Sequence, residues 1–251
     1  MNTAIRLSTR RLAAAVVAAI AVLLGVGSTI SAPSASAAPR TTLSSYLVPG
    51  SQLTIYHSDG SSSDCTAGPG VSFGEKRRGI ITSGHCGEDG DKVYWVDDNG
   101  REHRVGDLFR PIDKMVNFVQ YDFALVPVDS AMIDTPVAGK YNPTTYITGA
   151  EIANIVKSGS TIHLCSYGIT SGERCGDPII ENTYGSYPRI TSTFRSDHGD
   201  SGGPVYAKRT DGSAAIVGVL RGQENSTMNS VIVPIEPALD MYNVKLSISR
   251  R

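Results

Sequence analysis

An all-β fold, as sandwich or barrel, is what this sequence predicts, and three observations predict it. Short apolar or β-branched runs recur along the chain, glycine-containing turn pairs stand near them, and helical periodicity is confined to an N-terminal segment and a short stretch from Pro237 to Tyr242. The chain has 251 residues, 40% of them hydrophobic and 19% charged, which suits one large core or two small ones and is too balanced for disorder. A formal charge of −1 leaves no basic surplus, so a sequence-independent hold on nucleic acid is excluded.

Taken in order, the first element is an export signal. Arg6, Arg10 and Arg11 precede an apolar run from Leu12 to about Gly27, and Ala35-Ser36-Ala37 follows as a small-residue cleavage site. The run is short for a bilayer span and rich in alanine, which favours a cleaved signal over an anchor. Two alanines follow Leu12 where the twin-arginine route prefers bulkier residues, so the general secretory route is expected. Removing 37 of the 251 residues leaves 214, with a net charge of −4 and 24 glycines. That share of glycine exceeds the usual ~7% and supplies many turns. No later stretch is long and apolar enough to cross a bilayer, so the expected product is secreted, with no stable membrane insertion.

The strand candidates are Leu53–Tyr56, Gly79–Thr82, Val93–Val96, Phe123–Val128, Ile190–Phe194, Ala214–Leu220 and Val231–Val233. Asp59-Gly60, Asp89-Gly90, Asn99-Gly100 and Asp211-Gly212 are the turn pairs. Residues 137–145, with Gly139, Asn142 and Pro143, interrupt the pattern and read as a crossover, with a border between two halves near 130–150. The four cysteines, Cys65, Cys86, Cys165 and Cys175, form an even set in an exported chain and point to disulfides. Three connectivities are open, of which the local one fits one staple in each half. Without Cys-x-x-Cys or His-x-x-x-His spacing, no metal site is expected.

Three segments carry chemistry. In Gly199-Asp200-Ser201-Gly202-Gly203-Pro204, glycines on both sides of a serine allow a sharp turn and expose its hydroxyl and nearby N–H groups. Ile80-Ile81-Thr82-Ser83-Gly84-His85-Cys86 places a histidine at the end of an apolar strand, beside a cysteine that would anchor it. Tyr121-Asp122-Phe123-Ala124-Leu125-Val126 puts one carboxylate at the mouth of an apolar strand, where burial demands a partner such as an imidazolium. His57, His103 and His163 lack such surroundings and read as structural.

In the order His, Asp, Ser, these segments resemble the chymotrypsin-like serine peptidases. The resemblance implies Ser201 as nucleophile, His85 as general base and then acid, Asp122 as the group that orients His85, and the N–H groups of Gly199 and Ser201 as the oxyanion hole. Cys65-Thr66-Ala67-Gly68 ahead of Thr82-Ser83-Gly84-His85-Cys86 is similar to the first cysteine pair of the bacterial branch that includes streptogrisins and α-lytic protease. Cys165-Ser-Tyr-Gly168-Ile-Thr170-Ser171-Gly172-Glu-Arg-Cys175-Gly176 is similar to its second pair. The fold implied is two antiparallel six-stranded β-barrels with a short C-terminal helix, divided as a 1–37 signal, an N-terminal barrel over 38–140 and a second over 141–251.

Several positions depart from that branch. Ser166 stands where an arginine would neutralise the aspartate before the nucleophile, so Asp200 needs hydrogen bonds or another cation, with Lys157 and Arg174 nearest in sequence. Arg195 stands six residues before the nucleophile, where trypsin-like members carry Asp, and argues against cleavage after Lys or Arg. His198 would border the specificity pocket. Arg221 occupies a position where relatives show Ser, near enough to compete with His85 for Asp122. These cations favour acidic or polar side chains before the scissile bond. Only residues 38–64 separate the signal from Cys65, too few for the long pro-region of relatives. The expected function is a monomeric, cofactor-free secreted endopeptidase acting on polypeptides and open to protein protease inhibitors. A catalytically silent binding protein on the same scaffold is the rival, and an esterase a third reading.

Overall fold

The computed structural model describes residues 46–248, apart from 75–76, 117–118, 130–131, 139 and 183–186. The expected export signal at 1–37 lies outside the described residues, as does Gly139.

Strands β1 (Gln52–Tyr56) and β2 (Ser62–Thr66) form a hairpin through the Asp59-Gly60 turn, where Gly60 takes φ +86°. β3 (Gly70–Phe73) pairs with β4 (Arg77–Thr82), a strand that ends buried. β5 (Lys92–Val96) and β6 (Glu102–Asp107) follow around the Asn99-Gly100 turn. β7 (Phe109–Val116) and β8 (Val119–Val128) pair antiparallel. The expected crossover ends in a strand, β9 (Asn142–Tyr146). Then come helix α1 (Gly149–Lys157), β10 (Leu164–Gly168), β11 (Gly172–Gly176), β12 (Pro178–Asn182) and β13 (Arg189–Ser192). The chain closes with β14 (Pro204–Lys208), β15 (Ser213–Gln223), β16 (Ser230–Pro234), helix α2 (Glu236–Tyr242) and β17 (Lys245–Leu246).

The all-β prediction holds, and every strand candidate read from the sequence falls within a strand or overlaps one. Three sheets form, ordered β2-β1-β5-β6, β17-β3-β4-β8-β7 and β11-β10-β14-β15-β16-β13-β12, with β9 parallel to β15. Pro143, which lacks an N–H, is tolerated because among the described residues β9 has β15 alone as a neighbour. Helix α2 coincides with the expected Pro237–Tyr242 stretch, and Asn243 ends it at φ +51° in the left-handed region. Helix α1 is an addition to the sequence reading. Its N-cap Thr148 accepts the Glu151 N–H while Glu151 accepts the Thr148 N–H, a reciprocal capping box.

Each half has its own core. Leu53, Ile55, Ile80, Val93 and Val126 pack together on one side, and Ile152, Leu164, Ile190, Val205, Val217 and Ile232 on the other. A third cluster joins them: Val71, Ile81, Phe123 and Leu125 pack against Val219, Val233, Ile235 and Ala238. Burying a side chain such as Phe123 or Ile81 contributes about 1.5–3 kcal/mol. The shared cluster is therefore what holds the two halves in a fixed relation. Both local disulfides form, Cys65–Cys86 and Cys165–Cys175. In the chain-entropy view a bridge closing a loop of this size contributes about 3 kcal/mol.

Candidate active site

His85 is placed by the end of β4. The buried run Gly79–Thr82 leads into a single 3-10 turn, Gly84–Cys86, and the Cys65 disulfide ties that turn to β2. Asp122 sits on β8, which lies antiparallel beside β4. Its carboxylate is fully buried and meets His85 twice: Oδ2 lies 2.7 Å from Nδ1, and Oδ1 accepts the His85 backbone N–H at 3.0 Å. Two bonds from one residue to one carboxylate fix both the ring plane and the tautomer. With Nδ1 committed to Asp122, Nε2 is the atom free to accept a proton.

Ser201 arrives from the other half, in the turn ahead of β14. Its carbonyl accepts the Thr66 N–H at 2.7 Å, and Gly202 donates to the Leu220 carbonyl at 2.7 Å. The His85 turn uses the same two anchors, since Thr82 Oγ1 donates to the Thr66 carbonyl at 3.0 Å and Ser83 Oγ to the Leu220 carbonyl at 3.0 Å. Thr66 and Leu220 thus bring the nucleophile segment and the histidine segment together. Gly202 takes φ +84°, and a Cβ there would strike the Thr82 hydroxyl, so no other residue fits. The Ser201 hydroxyl donates to the Arg221 carbonyl at 3.1 Å, and among the described residues it makes no bond to His85. Such bonds are often long before substrate binds.

The loop before Ser201 is held by its carbonyls. Thr66 Oγ1 donates to the Gly199 carbonyl at 2.7 Å, and Thr170 Oγ1 to the His198 carbonyl at 2.6 Å. Gly199 takes φ +91°. Among the described residues, the N–H groups of Gly199 and Ser201 have no acceptor. This is the donor pair an oxyanion requires. Thr66 and Thr170 escaped the sequence reading as functional residues, although both lie inside the cysteine-pair motifs.

Asp200 is 1% exposed and needs no cation. Its Oδ1 accepts the N–H groups of Thr170 and Ser171 at 2.9 and 3.0 Å, and Oδ2 that of Asp197 at 2.8 Å. The suggested partners are elsewhere: Lys157 lies exposed at the end of α1, and Arg174 donates to the Glu173 carbonyl. Three backbone donors satisfy it: two come from the tight turn between β10 and β11, where the successive N–H groups of Thr170 and Ser171 converge, and the third from Asp197 in its own loop. Ser166 is buried with its hydroxyl unpartnered, so it takes the place of the expected arginine without its role.

Of the cations expected at the pocket, Arg195 and His198 are exposed. Arg221 is not free: Nη2 lies 3.3 Å from Asp113 Oδ1, and Nε lies 3.5 Å from Asp122 Oδ2 without hydrogen-bond geometry. His57, His103 and His163 pair with Asp91, Asp97 and Asp177. Asp97 is held down at about 2, chiefly by its hydrogen bond with His103. Behind the second disulfide, burial and the Glu173 carboxylate push the Tyr206 phenol far up. Glu173 itself is held down, because Tyr206 and Lys208 outweigh the effect of its burial. No group of three or more potential metal ligands occurs among the described residues.

Known proteins resemble this chain in sequence and in fold. An uncharacterised protein of Mycobacterium tuberculosis (strain CDC 1551 / Oshkosh) is 27% identical over 106 residues, 38% of this chain and 47% of that protein. The chain thus spans about half the length of the curated relatives it matches. Among solved structures, Thermobifida fusca protease A and the chymotrypsin of Cellulomonas bogoriensis each superpose with a TM-score of 0.53 at 22% identity. Each match covers 81% of this chain and 99% of the other. The family model described as Trypsin matches residues 66–241, a span that includes His85, Asp122 and Ser201, and on that match the chain belongs to the trypsin family.

Proposed function

We propose that this chain is an exported serine endopeptidase that hydrolyses peptide bonds through an acyl-enzyme intermediate. The observation that carries the reading is the pairing of a doubly bonded His85–Asp122 unit with a loop that offers two unpartnered N–H groups beside Ser201. Ser201 Oγ attacks the scissile carbonyl carbon while His85 Nε2 takes its proton. The N–H groups of Gly199 and Ser201 receive the oxyanion. As the C–N bond breaks, His85 returns the proton to the leaving amine, and water repeats the sequence on the acyl-enzyme.

Residues 38–140 and 141–251 would form the two barrels, with 1–37 as the export signal and the product a secreted monomer acting on polypeptides. Arg221 is committed to Asp113 and Asp122, so Arg195 and His198 are left to bias the pocket toward acidic or polar side chains. Dominant cleavage after Lys or Arg in a peptide library would count against that bias.

The test is labelling by a fluorophosphonate together with intact mass of the secreted product. Labelling should map to Ser201, and Ser201→Ala should lower kcat by about a million-fold while the fold persists. A second reading, a silent binding protein, is favoured by one observation, the Ser201 hydroxyl bonded to Arg221 and not to His85. A folded protein that resists labelling would select it.

A further inference from the structure

Arg221 stands at an irregularity. On β15 the register to β16 shifts between Leu220, opposite Ile232, and Gly222, opposite Val231, so Arg221 itself has no cross-strand partner. A bulge of this kind re-aims a side chain, often beside an active site. Here the guanidinium of a side chain 37% exposed reaches two carboxylates, Asp113 at 3.3 Å and Asp122 at 3.5 Å. Those two residues are direct cross-strand partners on β7 and β8. Like charges directly opposite each other destabilise a sheet, and one of this pair is fully buried. Arg221 is the cation that makes the pair tolerable, and Gln120 completes Asp113 by donating to its Oδ1 at 2.9 Å.

We propose that Arg221 is a positioning residue of the His-Asp-Ser set: its guanidinium clamps Asp122 to Asp113 and draws part of the Asp122 charge away from His85. The proposal rests on the peptidase reading above and deepens it. The same residue touches both ends of the set, since its carbonyl accepts the Ser201 hydroxyl while its side chain meets Asp122. His85 uses both oxygens of Asp122, and Arg221 lies nearest Oδ2, the oxygen bonded to Nδ1. Positive charge at that oxygen opposes the growth of positive charge on the ring, an opposition that a neutral residue at 221 would not supply.

The charged residues on elements packed against the His85 turn define what else acts there. They are Asp64 on β2, Arg110, Asp113 and Lys114 on β7, and Asp122 on β8, with Glu88 and the His57–Asp91 pair in the loop that follows. The Ser201 loop adds Arg195, Asp197, His198 and Asp200. Among the described residues, only Asp122, Arg221 and Asp113 form a chain of ion-pair contacts leading to the imidazole.

The experiment measures the pH dependence of kcat/KM and of fluorophosphonate labelling in wild type, Arg221→Ser, Arg221→Lys, Asp113→Asn and the Arg221→Ser/Asp113→Asn double variant. Thermal melts confirm that each is folded. In Arg221→Ser the pH of half-maximal rate should rise by about one unit, with the alkaline plateau retained, a shift reduced from the buried-pair range because the guanidinium is partly exposed. Arg221→Lys should restore part of the difference. Asp113→Asn should move the midpoint the opposite way, since Arg221 then acts on Asp122 alone, and the double variant should return close to wild type. Equal rate loss at every pH in Arg221→Ser, with no change in midpoint, would overturn the proposal. Absence of labelling in the folded wild type would defeat the peptidase reading instead. The His85 ring proton followed by NMR would then decide the role of Arg221, an identical titration in wild type and Arg221→Ser overturning it.

Discussion

Asp200→Asn tests whether backbone donors alone satisfy the carboxylate beside the nucleophile. The amide keeps the size of the side chain and one of its oxygens. In its better orientation that oxygen still accepts from Thr170 and Ser171, and the NH2 group then meets the N–H of Asp197, donor against donor. The loss is one charge-assisted bond, ~1.5–3 kcal/mol, plus a buried donor left without an acceptor, ~1–3 kcal/mol, together about 2.5–6 kcal/mol. In a chain of this size each kcal/mol moves Tm by about 2–4 °C, so calorimetry should record a fall of about 5–24 °C. Lys157→Ala and Arg174→Ala are the controls, both at exposed positions and both expected to change stability by less than about 0.5 kcal/mol. An Asp200→Asn protein melting within about 2 °C of wild type would refute the reasoning. So would a control that destabilised as much as Asp200→Asn, because a cation would then be the partner.

Two further outcomes follow from the site and its surroundings. Thr66→Val keeps the shape but removes the donor to the Gly199 carbonyl and the acceptor for the Ile169 N–H, so the Gly199 peptide can turn its N–H away. Steady-state kinetics should show kcat lower by about ten- to a hundred-fold with KM little changed, and an unchanged kcat would remove Thr66 from the oxyanion support. Glu236→Gln addresses a partly buried carboxyl that burial pushes above its usual range; its Oε1 accepts the Gly149 N–H at 2.7 Å and its Oε2 is unpartnered. A raised carboxyl contributes stability below its unfolded value that is lost as pH rises through the folded value. The glutamine variant should therefore melt a few degrees above wild type at pH 7 and level with it at pH 4, and an equal difference at both would show that charge is not the cause.

Much of this was legible where local chemistry decides the outcome. The turn pairs at Gly60, Gly90, Gly100 and Gly212 all take positive φ, as their Asx-Gly sequences require. Helix α1 was legible in principle: Thr148 and Glu151 form a capping-box spacing, and Ile152, Ile155 and Val156 follow at helical intervals. It is short and sits among strand signals, which hides a nine-residue periodicity. Strand β7 gave no signal because six of its eight residues are exposed and Arg110, Asp113 and Lys114 break up its apolar ones, and it is held by pairing with β8. The parallel pairing of β9 with β15 joins segments about seventy residues apart and depends on the shared core, not on either sequence. At the site, the departure at Arg221 pointed correctly to Asp122. Asp113 did not show, since its place opposite Asp122 follows from the pairing of β7 with β8, and β7 itself left no signal. The partners of Asp200 did not show either, because backbone N–H groups leave no mark on composition.

The two buried carboxylates of the site therefore rest on different physics, and the difference decides which of them evolution can adjust cheaply. Asp200 is bound by three main-chain N–H groups from two segments, so no single side-chain change removes or strengthens its partners. That arrangement explains how an arginine can be absent at Ser166 without an unpaired charge beside the nucleophile. Asp122 is bound by one residue, His85, and neighboured by another, Arg221, whose own charge is balanced by Asp113. A single substitution at 221 or 113 alters the field at Asp122 by a whole charge while leaving the His85 bonds in place. If the Arg221 variants shift the pH profile and the Asp200 variant shifts stability instead, the division is established: one aspartate fixes the geometry of the loop, and the other sets the pH at which the histidine can accept a proton.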